Sequence, residues 1–116
     1  MTTPSRPSAG KPLPQPDLDE IGIDRVLRAL GEPARLRIVQ TLAAAEQPMS
    51  CGDFDLDVSK STSTHHFRTL RDSGIITQHE HGASRYSQLR SNDLDERFPG
   101  LLPAILVAAP KPPMRK

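Results

Sequence analysis

The sequence predicts a small, mainly helical domain that carries one two-stranded β-hairpin. Three observations lead there. Apolar residues recur at helical spacing in two early segments, a hydroxyl-rich polar helix follows near residues 59–73, and an alternating strand–turn–strand stretch comes directly after it.

In the first segment, Ile23, Val26, Leu27 and Leu30 fall on one helical face. Asp19 or Asp24 is placed to cap its start, and Gly31 to end it in left-handed geometry. Pro33 suits the first turn of a second helix, where its missing N–H costs nothing. That helix buries Leu36, Ile38, Val39 and Leu42 and closes at Gln47-Pro48. Ser50 followed by Asp53 predicts a third start, but Phe54, Leu56 and Val58 are sparse, so this helix is short. Ser59 opens the polar helix, with Phe67 and Leu70 inward and Gly74 at its end. Residues 75–80 and 85–89 read as strands around a turn at His81–Ser84. Ser91 caps a last helical region, broken at Pro99-Gly100 and resumed by Leu101, Leu102, Ile105 and Leu106.

Composition sets the limits. Five prolines lie within residues 1–16, and the chain closes on PKPPMRK, so residues 1–17 and 109–116 are expected as disordered tails around a domain at 18–108. A domain of that size is marginal alone, which favours an oligomer. The apolar run Leu101–Ala109 is too short to span a membrane and contains Pro103. No secretory apolar core stands at the N-terminus, and the single cysteine, Cys51, excludes an internal disulfide framework. A cytoplasmic protein is expected. No glycine-rich phosphate loop or nucleophile elbow is visible, so an enzyme is not expected, nor a cofactor.

The net charge of +1 conceals a division. Residues 17–58 carry nine acidic and four basic side chains, a balance of −5, whereas residues 59–90 carry five basic and two acidic, a balance of +3. All four histidines also lie in the second stretch. Such asymmetry points one half at an anionic partner.

Within that half, Ser59, Ser61, Thr62, Thr64, His65 and Arg68 fill the exposed side of the polar helix. Serine and threonine are poor choices for a merely solvated helix surface, because they compete for local backbone hydrogen bonds. Short hydroxyls next to a cation suit a helix entering the DNA major groove, where close approach and bonds to phosphates or base edges are needed. A short helix and turn before it, and a hairpin with Arg85 after it, make a winged helix-turn-helix. Ser59, Ser61, Thr62, Thr64, His65, Arg68 and Arg85 are the expected contacts to double-stranded DNA. His66 is expected on the packed side, Tyr86 in core packing, and Arg71 either on phosphate or paired with a carboxylate such as Asp72.

The segments LRALGEPARLRIVQTLA, STSTHHFRTLRDSGII and GASRYSQLR together resemble the arsenical-resistance-repressor (ArsR) family of winged-helix regulators. Thr64, His65, His66, Phe67, Arg68, Leu70, Arg71 and Gly74 match the family's central pattern, and the resemblance covers roughly residues 20–107. It implies a homodimer built from the first and last helices, here through Leu27, Leu30, Phe98, Leu101, Leu102, Ile105 and Leu106. It also implies an inverted-repeat operator and repression until an unknown small-molecule effector releases the DNA. The stretch between Phe54 and Ser59 is about two residues shorter than the family pattern, which disturbs the third helix.

Metal-sensing relatives use a pair of cysteines near the third helix, where soft metals want two or three thiols, or histidines and carboxylates on the last helix. Here the first place offers Cys51 alone, and the last helix has Asp93, Asp95 and Glu96 with no histidine after His81. His79 and His81 share a hairpin face without an evident third ligand. No metal site is therefore assigned. The competing readings are a winged-helix protein-interaction module, disfavoured by the scarcity of aromatics, and a metal- or redox-sensing repressor using Cys51 or His79 and His81.

Overall fold

The computed structural model describes residues 11–54, 56 and 58–110. It is mainly helical. A short strand β1 (Lys11–Pro12) comes first, then α1 (Ile23–Leu30), α2 (Pro33–Ala45) and strand β2 (Met49–Ser50). Helix α3 (Lys60–Asp72), the hairpin β3 (Ile76–His81) and β4 (Ser84–Leu89), α4 (Ser91–Arg97) and α5 (Leu101–Ala108) complete it. No helix among the described residues is long and apolar enough to cross a membrane.

The core explains the periodicities. Val26, Ala29 and Leu30 of α1 meet Ile38, Val39 and Leu42 of α2, Phe67 and Leu70 of α3, and Ile75 and Ile76 at the root of the hairpin. Of the four apolar residues that the spacing puts on one face of α1, Val26 and Leu30 are buried, whereas Ile23 and Leu27 stay exposed. Pro33 stands at the first position of α2 behind Glu32, whose carboxylate accepts the Ala34 N–H at 2.7 Å. Gly74, at φ +86°, turns the chain out of α3 into β3. A Cβ there would sit 2.5 Å from Ile21 Cγ1, so both the backbone angle and the packing require glycine.

The hairpin does not stand alone. The antiparallel sheet has the order β1-β3-β4-β2, with β2 bonded to β4 and β1 to the outer edge of β3. One hairpin face carries the buried Gln78 and Ser87, opposite each other in register, and the other carries His79 opposite Tyr86.

Several expectations are corrected. Residues 11–17 are not a structureless tail. Lys11 and Pro12 pair with β3, and the Arg90 guanidinium donates to Pro16 O at 2.9 Å. Residues 1–10 and 111–116 lie outside the described residues, while Pro110 O accepts from Gln40 at 2.8 Å. The third helix is a single 3-10 turn, Cys51–Asp53. Its predicted start is present, with Gly52 N–H donating to Ser50 Oγ and Ser50 N–H to Asp53 Oδ2, each at 3.3 Å. Too few apolar residues follow to sustain more turns. Gly31 ends α1 at φ −77°, in right-handed geometry. The cap of α1 is Gly22 rather than an aspartate, and Arg90 rather than Ser91 precedes α4.

Candidate nucleic-acid interface

Helix α3 begins with a serine because the first N–H groups of a helix lack partners. Ser59 Oγ accepts the Thr62 N–H at 3.1 Å and donates to Thr62 Oγ1 at 2.9 Å. From that cap the helix presents Ser61, Thr62, Thr64, His65 and Arg68 to solvent, as the sequence suggests, with Lys60 beside them. The Arg68 side chain is 72% exposed, and its contact to Asp72, one turn on, is loose at 3.8 Å. Such a pair contributes little and leaves the guanidinium available.

The opposite flank is tied down. His66 is buried, and Arg35 Nη1 donates to its Nδ1 at 3.1 Å. Arginine has no acceptor, so the ring is neutral there and carries its proton on Nε2, facing Glu32 Oε1 at 3.8 Å. Burial lowers the His66 pKa below its ordinary value; the Glu32 carboxylate acts the other way, and Arg35 adds to the lowering. Arg35 Nε also donates to Ala29 O at 2.7 Å. The network joins the end of α1, the start of α2 and α3, and it orients α3. His66 is therefore structural, as expected.

A second network joins α3 to the hairpin. Arg71 Nη1 donates to Gln78 Oε1 at 2.8 Å, and Gln78 Nε2 donates to Ser87 Oγ at 3.0 Å and reaches Cys51 Sγ at 3.8 Å. Arg71 thus serves as a clamp; its Nε lies 4.0 Å from Asp72 Oδ1, too far to bond. The buried glutamine was not legible in advance, although its place opposite Ser87 in the hairpin register is the signal that finds it. Cys51 is a free, half-buried thiol. Burial raises its pKa, against opposing effects from Ser87 and Arg85, and so favours the protonated thiol.

On the hairpin, Arg85 Nη2 bonds Glu80 Oε2 at 2.8 Å across the strands, a partner that sequence reading overlooked. Both side chains are partly exposed, so the pair is a weak one that another anion can replace. His79 stacks on Tyr86, with centroids 6.2 Å apart. Tyr86 therefore packs on the sheet surface rather than in the core. No group of three or more His, Cys, Asp or Glu side chains suited to a metal occurs among the described residues.

Between α3 and the hairpin tip lies a cleft of about 820 Å³. Lys60 and Arg68 stand on one lip and Arg85 on the other. The reduced third helix borders it, with Phe54 set edge-on against Phe67 at 5.1 Å. Of the residues expected to join two copies, Leu30 and Leu102 are buried within one chain, only 6% and 8% exposed. Leu27 is exposed, and Phe98, Leu101, Ile105 and Leu106 are half-buried. Ile23 and Val107, not anticipated, are exposed.

Comparison with known proteins agrees with this architecture. A family described as a helix-turn-helix domain matches residues 30–79. An uncharacterized HTH-type transcriptional regulator, YceK, of Bacillus subtilis (strain 168) is 30% identical over 80 residues, covering 67% of this chain and 80% of YceK. The crystal structure of the transcriptional repressor BigR from Xylella fastidiosa shares the fold, with a TM-score of 0.58 at 22% identity. That match covers 77% of this chain and 88% of BigR. The chain belongs to the helix-turn-helix family of DNA-binding transcriptional regulators.

Proposed function

We propose that the protein is a homodimeric, cytoplasmic repressor of the ArsR type that sets α3 into the major groove of an inverted-repeat operator and is released by a small-molecule effector. The observation that carries the DNA reading is the exposed row Ser61, Thr62, Thr64, His65 and Arg68, on a helix whose other side is bonded into the core. Hydroxyls at the start of α3 approach phosphates and base edges, and Arg68 grips a guanine or phosphate. Ser59 caps the helix with its lone pair on the Thr62 N–H and reaches phosphate by turning its hydroxyl hydrogen from Thr62 Oγ1 to a phosphate oxygen. Arg85 exchanges Glu80 for the DNA backbone. BigR is a repressor, which supports repression over activation.

The dimer brings α1 and α5 of two copies together. Leu27, like Ile23, is an apolar residue of α1 left exposed, and the half-buried Phe98, Leu101, Ile105 and Leu106 extend the apolar face. Leu30 and Leu102 support it from within rather than touching the partner. Apolar exposure of this kind marks an interaction surface.

Fluorescence anisotropy with duplexes selected from the organism's own DNA tests the reading. Arg68→Ala is expected to weaken binding by about 1–3 kcal/mol without changing the fold. Unchanged affinity removes Arg68 from the interface. Light scattering across a concentration series tests the pairing, which a monomer at micromolar concentration overturns.

A further inference from the structure

The polar bridge beneath the hairpin tip bears on how Arg85 meets DNA. Gln78 is only 1% exposed and Ser87 is fully buried, and the two face each other across β3 and β4. Gln78 is the last buried residue of β3 before the tip, since His79 is half-buried and Glu80 and His81 are exposed. In β4, Ser87 is the one buried residue. Side chains alternate along a strand, so Glu80 and Arg85, opposite each other and one step nearer the tip, project from the same face as Gln78 and Ser87. Gln78, Glu80 and Arg85 all line the cleft toward α3.

The Gln78 amide is bonded from three directions. Arginine has only donors, so Arg71 Nη1 requires the amide's carbonyl oxygen, 2.8 Å away. The amide hydrogens then go to Ser87 Oγ at 3.0 Å and to Cys51 Sγ at 3.8 Å. One uncharged side chain thus joins α3, β4 and the 3-10 turn that precedes α3.

Arg71 depends on this bond. Its side chain is 12% exposed, and its Nε is buried without a hydrogen-bond partner, with Asp72 Oδ1 no nearer than 4.0 Å. Nearer the tip, the Glu80–Arg85 pair joins the two strands to each other rather than to α3.

We propose that Gln78 is a positioning residue for DNA binding: its amide fixes the hairpin against α3, so that Arg85 reaches the phosphate backbone while α3 occupies the groove. The proposal rests on the reading that α3 and the hairpin face DNA. Gln78 is buried and acts through Arg85, which shares its face of the hairpin. A hairpin free to pivot about its root at Ile75 and Ile76 would carry Arg85 off its phosphate and leave the contacts of α3 in place.

The test uses the full chain carrying Gln78→Met, which keeps the length of the side chain, removes the amide and changes no charge. Fluorescence anisotropy on fragments the protein selects from genomic DNA is measured over a series of KCl concentrations, with the folded fraction fixed by urea titration. The slope of log affinity against log salt is expected to fall by about 0.9, the worth of one phosphate contact, although no cation has been removed. Arg85→Ala is expected to lower the slope by the same amount in the unmodified chain and by nothing further beside Gln78→Met. Arg68→Ala is expected to weaken binding equally in both. Because Gln78→Met leaves a buried guanidinium without its acceptor, a second variant, Arg71→Met with Gln78→Met, makes both ends of the bridge apolar. There too Arg85→Ala should lower the slope no further. Equal effects of Arg85→Ala with and without the Gln78 amide overturn the positioning role and leave the DNA reading standing. A slope that Arg85→Ala does not move in the unmodified chain takes the hairpin off the DNA and overturns both.

Discussion

On one flank of α3, His66, Phe67 and Leu70 are buried, and the histidine's ring nitrogen is bonded to Arg35. On the other, Ser61, Thr62, Thr64, His65 and Arg68 face solvent, with the one loose pair from Arg68 to Asp72. The same thirteen-residue helix therefore carries two kinds of information. Its inner flank specifies where the helix sits, and its outer flank specifies what the helix can meet. Substitutions are expected to separate accordingly, with stability lost on the inside and DNA affinity lost on the outside.

The largest effect is expected just beyond the helix. Gly74→Ala imposes left-handed strain and a clash with Ile21, and should cost about 2–4 kcal/mol of stability by urea denaturation. His66→Ala comes next. It leaves the Arg35 donor without its acceptor and opens space in the packed flank, for about 2–3 kcal/mol. If it instead lowered DNA affinity at full stability, the division between the flanks would fail. Ser59→Ala removes the cap of α3 and should cost about 1 kcal/mol in thermal unfolding. Arg68→Ala should alter stability by less than about 0.5 kcal/mol, the worth of an exposed pair one turn apart. That near-neutrality, beside its loss of binding, gives the sharpest contrast.

The inner flank also predicts a pH dependence. Burial holds the folded His66 pKa below 6.5, so an unfolded chain binds a proton there before the folded one does. The contribution is fully present above pH 6.5 and declines as pH falls toward the lowered folded value. Denaturation midpoints measured downward from neutral pH should show this decline, and His66→Gln should remove that component of it.

Much of this was legible in residue spacing. The i, i+3, i+4 pattern located α1 and α2, Ser59 and Gly74 bracketed α3, and alternation with Gly82 located the hairpin. The exposed row on α3 followed from its periodicity. What escaped was pairing between distant segments. Nothing local in a proline-rich stretch announces that Lys11 and Pro12 add to a sheet edge, since that edge is created sixty-odd residues later. The Arg71–Gln78 clamp and the Glu80–Arg85 pair depend likewise on how α3 meets the hairpin and on register. The third helix shrank to one turn because a start signal alone cannot sustain a helix without an apolar face to bury.

The strand pairing at Lys11–Pro12 has a bearing on solubility. A bare β3 edge would offer its row of amides and carbonyls to any passing extended chain, the route by which sheets grow into aggregates. Here two residues and the Leu13 amide occupy part of that row, and Pro12, with no amide hydrogen, cannot pass the pairing on to another strand. Shortening the protein past Leu13 should therefore yield a chain that keeps its helices yet precipitates with time.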